Sequence, residues 1–355
     1  MSLLTIIFLF FSVLGALDNI FGNRFGLGKE YEKAFMLLGT MALSMIGMIV
    51  VSPVIANIMT PLSDFVSSVL HIDPSVIPAS LFANDMGGAP LSVEMAKDAD
   101  IGGYNALVVS SMMGCTISFT IPFALGIVNK SQHNELFLGI LCGLVTIPIG
   151  CFVSGLICKL DIVKLIMNLI PLIVISGVIA VGLIKIPEIC IKVFKIFGVF
   201  IRTIIIIGLS IGVINFLCGK NVIGMVNSIE EGADVCLNAT IVLSGAFPFM
   251  YIISKLLTKP LEKISKRVGV NQTSVLSLVS GLVTSATSFG LMDKMDKKGV
   301  TLNSAFCVSG AFVLGGHLAF TMAFDSRYIL PVIIGKLVSG ISSVMLANVI
   351  YDKKQ

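Results

Sequence analysis

Nine stretches of this chain stay apolar for the thickness of a bilayer. They fall at about 3–20, 35–56, 104–128, 136–158, 163–185, 197–217, 237–257, 303–324 and 328–350. A helix rises about 1.5 Å per residue, so roughly 20 apolar residues cross a hydrocarbon core about 30 Å thick. Lipid offers no partner to a backbone N–H or C=O, which leaves such a sequence a bundle of membrane-spanning helices. Charge content agrees: 12% of the 355 residues are charged, against about 25% in a soluble domain. The first run has no basic n-region and no small-x-small cleavage pattern, so it reads as a retained span rather than a signal peptide.

Two further segments, about 74–93 and 273–292, are apolar but interrupted, one by NDMGG and the other by TSATSFG. In the first, Asn84 and Asp85 arrive midway, Gly87 and Gly88 follow, and Pro90 excludes a regular helix at that point. Loop charge places both segments. Lys255, Lys259, Lys263, Lys266 and Arg267 form a basic loop, and Lys294, Lys297 and Lys298 a second one; both are cytoplasmic by the positive-inside rule. The segment between them therefore enters and returns on one side. Counting onward puts the acidic loop of Glu230, Glu231 and Asp234 outside. The first interrupted segment is outside too, flanked by Asp64, Asp73, Asp98 and Asp100. Lys159 and Lys164 fall on the outer side against the rule.

The two halves resemble each other at a nearly constant offset. Asp18 and Gly22 correspond to Asn215 and Gly219 at 197, and MTPL at Met59 to TKPL at Thr258 at 199. Leu91 and Met95 match Leu291 and Met295 at 200; Gly114, Phe119 and Thr120 match Gly315, Phe320 and Thr321 at 201. The expected fold is an all-α polytopic membrane protein of about nine transmembrane helices plus two interrupted re-entrant hairpins, arranged as an inverted repeat. Residues 1–160 form the first repeat, 161–196 a linker span and 197–355 the second repeat. Broken elements facing each other near the midplane are a common plan of secondary transporters.

Asp85 is the leading site residue. A carboxylate at bilayer depth costs at least about 2.5–3.5 kcal/mol, so it persists where it meets a cation, a partner or water. It is expected to act as counter-ion for a cationic ligand, with Asn84 as a neutral hydrogen-bonder and Gly87 and Gly88 allowing close backbone approach. The alternative is a loop-tip Asp that caps the following helix in ordinary solvent. The second hairpin offers hydroxyls, Ser285 and Ser288 among them, and Phe289 as an aromatic face for an ammonium. Thr116 and His317 occupy corresponding places after a glycine, His317 as a ligand or as a satisfied interhelical histidine. Asp18 and Asn215 read as structural residues. Lys336 lies deep in the last run and needs a carboxylate, either Asp85 or Asp325.

Other classes lack motifs. There is no Walker A, HExxH or GxSxG pattern, so neither ATP-driven transport nor common hydrolytic chemistry is supported. The net charge of +4 gives no reason to expect nucleic acid, and the eight cysteines show no ligand spacing, so no metal and no cofactor is expected. Cys218 and Cys236 flank one polar loop, but a disulfide there is not expected.

Several motifs resemble the EutH family, the ethanolamine utilisation membrane protein. They are DMGG at Asp85, MMG at Met112, GLVTIPIG at Gly143, MNLIP at Met167, GVNQTSV around Val270, Phe289–Met295, and IGKLVSG at Ile334. The resemblance covers nearly the whole chain, departing at Gly316, where the family pattern has an acidic residue. It implies a permease that brings ethanolamine across the bacterial inner membrane for catabolism, and no enzyme activity. Ethanolamine at neutral pH is an ammonium alcohol: Asp85 suits its charge, and Asn84, Thr116, Ser285 and Ser288 suit its hydroxyl. Expected partners are this small molecule and membrane lipid, with self-association left open. The alternatives are a secondary transporter of another small organic cation or amino-acid-like solute, an intramembrane enzyme using Asp85 and His317, and a non-transporting sensor or scaffold.

Overall fold

A computed structural model describes residues 3–354; the side chains of 257–264, 266, 267 and 354 lie outside the described residues. The described residues are helical with short connections and contain no strand. Among the described residues, eight helices are long and apolar enough to cross a membrane. They are α1 (Leu3–Ile20), Leu27–Ile58, Ala99–Ile127, Lys130–Ile157, Ile162–Lys185, Pro187–Cys218, Ile229–Leu256 and Ser326–Lys353.

Several boundaries differ from the sequence expectation. The second span is preceded by an amphipathic helix, α2 (Leu27–Met36), that joins α3 (Leu38–Ile58) at Leu37. Asp18 sets that entry, since its carboxylate accepts the N–H groups of Phe25, Leu27 and Gly28. Asn215 does the equivalent work after its own span, bonding to Ile223 and Asn221. Both are structural, as expected. The basic loop 255–267 is no loop: its backbone continues the helix Ile229–Val268, and its side chains from 257 to 264 and at 266 and 267 lie outside the described residues. Cys218 and Cys236 are both free.

The largest correction concerns the run 303–324. It is two helices, Lys297–Ser309 and Gly316–Phe324, separated by a turn at 310–315. Hydropathy could not show this break, because the turn is itself apolar. Its backbone finds partners within the protein: Phe312 N–H donates to Gly281 and Leu314 N–H to Leu282. Non-helical backbone at membrane depth survives where other protein satisfies it. The third span keeps its continuity but widens into π-helical turns over Asn105–Gly114 and Thr116–Thr120.

Each interrupted segment is a pair of short helices. Val76–Leu81 and Gly88–Met95 flank a single turn at Asn84–Met86; Gln272–Gly281 and Ser285–Gly290 flank a turn at 282–284. Pro90 does not break its helix. It lies in the first turn, where a missing N–H leaves no bond unmade; the break falls earlier, at Phe82–Gly87.

The first hairpin lies against the π-helical span and the helix Leu38–Ile58, and the helix Lys130–Ile157 packs between Lys297–Ser309 and the last helix. Glycines let the backbones touch. A Cβ on Gly114 would stand 2.0 Å from the Phe82 carbonyl oxygen, and one on Gly315 2.0 Å from that of Val283. A Cβ on Gly47 would stand 2.0 Å from the Ile205 carbonyl oxygen, and one on Gly245 2.0 Å from that of Phe8. Outward faces carry exposed Ile173, Val178, Ile184, Val199 and Ile207, the surface a lipid solvent requires.

Side-chain contacts gather the connections into two ends. At one, Lys164 pairs with Asp98 at 2.5 Å, Lys97 with Asp64 at 3.2 Å, and Tyr328 donates to the Asp100 carbonyl. At the other, Lys298 pairs with Asp352 at 2.7 Å and Gln132 donates to the Met292 carbonyl. Lys164, which broke the loop-charge rule, is matched by a carboxylate.

Candidate functional site

Asp85 sits at the tip of the first hairpin, half-buried. The turn is fixed from three directions: Ala83 N–H donates to Ser118 Oγ at 3.0 Å, and Met86 and Gly88 N–H both donate to the Ala83 carbonyl. Gly87 has φ +104°, a conformation that glycine adopts and side chains resist, and a Cβ there would meet Met48 Cε at 2.3 Å. A Cβ on Gly88 would stand 2.2 Å from the Phe82 carbonyl oxygen. Both glycines are thus required by the turn itself. Beside Asp85, Asn84 is fully buried, and neither atom of its amide is hydrogen-bonded among the described residues. A buried amide left open marks a place for water or a ligand.

Of the two carboxylates offered to Lys336, Asp325 is engaged by Arg327 at 2.7 Å. Among the described residues Lys336 forms an ion pair with neither Asp325 nor Asp85. Lys336 is 1% exposed; its ammonium donates to the Ser111 carbonyl at 2.6 Å and lies 3.3 Å from His317 Nδ1. An ammonium has only hydrogens to offer, so Nδ1 is the acceptor nitrogen. His317, 2% exposed, stacks on Phe312 with ring centroids 4.7 Å apart.

From there a row of rings leads to the second hairpin. Phe312 meets Phe119 edge-on at 5.7 Å, Phe119 stacks on Phe123 at 5.0 Å, and Phe123 lies 6.2 Å from Phe289. Phe289 is buried, 1% exposed. A row of rings thus joins His317 to Phe289, and the turn Asn84–Met86 that carries Asp85 and Asn84 packs against the helix Gly316–Phe324 that carries His317. Phe312 and Phe123 were not singled out from sequence. Phe312 holds a left-handed backbone, φ +62°, between Gly310 and Gly315, and that pair of glycines in an apolar run was the available signal.

The hydroxyl candidates divide. Thr116 Oγ1 lies 2.7 Å from both the Met112 and the Val308 carbonyls, tying the π-helical span to Lys297–Ser309. Ser288 donates to the Ser277 carbonyl at 3.0 Å and closes its own hairpin. Ser285 is fully buried, with no hydrogen bond to its hydroxyl among the described residues, the counterpart of Asn84 in the second hairpin.

A family model described as "Ethanolamine utilisation protein, EutH" matches residues 1–350. The chain belongs to the EutH family. It is 41% identical over 334 residues to a probable ethanolamine permease EutH of Listeria monocytogenes, covering 94% of this chain and 90% of that protein. Against a probable ethanolamine permease EutH of Salmonella typhimurium the identity is 36% over 385 residues, covering 98% and 94%. The uncharacterized protein YxeR of Bacillus subtilis is 37% identical over 337 residues, covering 95% and 91%. No solved structure gives a significant match. The resemblance carried by DMGG and IGKLVSG is borne out, and this EutH-family chain is a multi-pass membrane protein.

Proposed function

We propose that this EutH-family protein is a permease that takes up protonated ethanolamine across the bacterial inner membrane. The observation that carries the reading is Asp85: a carboxylate at a hairpin tip, beside an unpartnered buried amide, in a core otherwise poor in acid. Asp85 holds the ammonium group. Asn84, with two donors and an acceptor free, takes the hydroxyl, and Ser285 is the second open hydrogen-bonder. Gly87 and Gly88 shape the turn that presents Asp85, and Phe119, Phe289 and Phe312 supply aromatic faces. Thr116 and Ser288 contribute acceptor oxygens only, their protons being committed to backbone carbonyls. None of the relatives named above carries an enzyme's name, so the intramembrane-enzyme alternative has no support.

The same reading gives the chain two inverted repeats, 1–160 and 197–355, with 161–196 between them and the hairpins re-entrant from opposite sides. Four contacts support it. Gly114 and Phe82 map onto Gly315 and Val283 at an offset of 201, and each glycine abuts the matching carbonyl. Gly47 and Ile205 map onto Gly245 and Phe8 at 198 and 197, so each repeat's second span packs on the first span of the other. An intertwined pair of repeats predicts both contacts together. The break at 310–315 and the π-helical stretch at Asn105–Gly114 fall at corresponding places, where the permeation path crosses the midplane.

Neutral ethanolamine crosses lipid unaided, so a protein matters most at lower pH. Uptake of labelled ethanolamine into proteoliposomes at pH 6 tests the reading. Protein-dependent uptake that excess unlabelled ethanolamine abolishes is expected; a rate equal to that of protein-free vesicles overturns it.

A further inference from the structure

The second hairpin borders a cavity with the chemistry of an ammonium site. Asp18 fixes the backbone from Phe25 to Gly28 and so sets the direction of α2, which packs on the helix Ile229–Val268. Tyr251 of that helix comes so close to Gly26 that a Cβ there would stand 2.6 Å from its hydroxyl. Between these two helices and the hairpin turn lies a cavity of about 180 Å³, lined in part by Glu30, Lys33, Phe247, Tyr251, Thr284 and Thr287. Two of the chain's own primary ammonium groups already use its rings. Lys33 Nζ lies 5.3 Å from the centre of the Phe247 ring and 3.2 Å from Glu30 Oε2, and Lys255 Nζ lies 4.3 Å over the Tyr251 ring. A carboxylate beside an aromatic face is what a cationic ligand needs. The Lys33 side chain is 54% exposed, and an exposed pair of this kind contributes little, so a free ammonium can displace it. Thr284 Oγ1 accepts the Ala286 N–H at 3.3 Å, which leaves its proton to a ligand's hydroxyl. The next residue is Ser285, whose hydroxyl is open.

We propose that this cavity is a second binding subsite for a small primary ammonium alcohol, separate from Asp85, and the last station before release to the cytoplasm. Its place as a station rests on the permease reading, whereas binding stands without it. The segments that bring Glu30 and Tyr251 here also carry Arg24, Lys29 and Lys255, which the loop-charge rule puts on the cytoplasmic side. The ligand's ammonium takes the place of Lys33 Nζ between Glu30 and the Phe247 ring, and its hydroxyl reaches Thr284 or Thr287. Lys33 swings out to water with its charge; no covalent bond changes and no proton moves. An ammonium leaving the membrane interior meets positive side chains at this end, and Glu30 offsets them at the exit. Returning to its place, Lys33 helps the ligand leave.

Equilibrium dialysis of labelled ethanolamine against the detergent-solubilised full chain counts the sites. Two equivalents bound per chain at saturation are expected for the wild type, and one for Glu30→Gln or for Asp85→Asn. In the Asp85→Asn background, where only this subsite is counted, Lys33→Ala should tighten binding about threefold, since the competing ammonium is gone. Phe247→Leu should weaken it about threefold in the same background, by loss of the aromatic face. A role confined to holding α2 in place would make Lys33→Ala neutral or harmful to binding. Fewer than two equivalents in the wild type overturns the subsite, as does an undiminished count in Glu30→Gln. The wild-type count decides even where a variant does not fold. Proteoliposome flux judges the permease reading separately. Flux with one equivalent bound removes the subsite alone, whereas two equivalents without flux remove the permease reading and the release station with it, and leave the second ammonium site standing.

Discussion

The Lys336 ammonium lies 3.3 Å from His317 Nδ1, with both side chains almost wholly buried. Lys336 also donates to the Ser111 carbonyl at 2.6 Å, so the last helix, the π-helical span and Gly316–Phe324 meet at this ammonium.

Removing that ammonium takes the donor away from two buried acceptors, the Ser111 carbonyl and His317 Nδ1. Lys336→Met should therefore lower the stability of the detergent-solubilised protein by roughly 1–3 kcal/mol. Thermal unfolding beside the wild type measures the loss, and an unchanged melting temperature would contradict it.

Backbone contact at the glycines predicts a graded series. Gly114→Ala and Gly315→Ala each drive a Cβ to 2.0 Å from a carbonyl oxygen, so each should cost about 1–3 kcal/mol as the helix and hairpin move apart. Gly316→Ala meets nothing within 4 Å and should leave the melting temperature unchanged. Equal effects at 315 and 316 would contradict the packing described.

At the end that also carries the Lys97–Asp64 pair, the hydrogen bond from the Lys164 ammonium holds the Asp98 carboxyl below the ordinary carboxylate range. A lowered folded value means that the pair's stabilisation is complete above the unfolded value of about 3.9 and is lost as pH falls through the folded one. The wild type should therefore lose stability below about pH 4, modestly, since the pair is solvent-exposed and screened by salt. Asp98→Asn keeps an oxygen for the helix start, where Asp98 accepts the Asp100 and Ile101 N–H groups, and should flatten the acid limb. Melting curves between pH 6 and pH 3 test this, and parallel profiles would refute it.

Much of the fold was legible because hydropathy reports the solvent a segment needs. Eight of nine apolar runs became long helices, and Asp85 stood out as a charge in a run that had no other reason to hold one. Hydropathy does not report backbone conformation. The turn at 310–315 is as apolar as a helix, and its N–H groups are satisfied by Gly281 and Leu282, far away in sequence. Phe312 was hidden for that reason. The basic segment after Ser254 read as a loop because charge ends a membrane span; charge does not end a helix, and the backbone continues to Val268. Lys336 was visible as a buried charge in need of a partner, but that its ammonium meets the Ser111 carbonyl and His317 Nδ1 rather than a carboxylate required the fold.

The central claim is that Asp85 is the counter-ion of the transported ammonium. Proteoliposome uptake of labelled ethanolamine at pH 6, compared between wild type and Asp85→Asn at matched protein content, measures it most directly. The account predicts that the protein-dependent flux of Asp85→Asn falls to the level of protein-free vesicles, while the variant still folds and reconstitutes. Uptake by Asp85→Asn at the wild-type rate would contradict it.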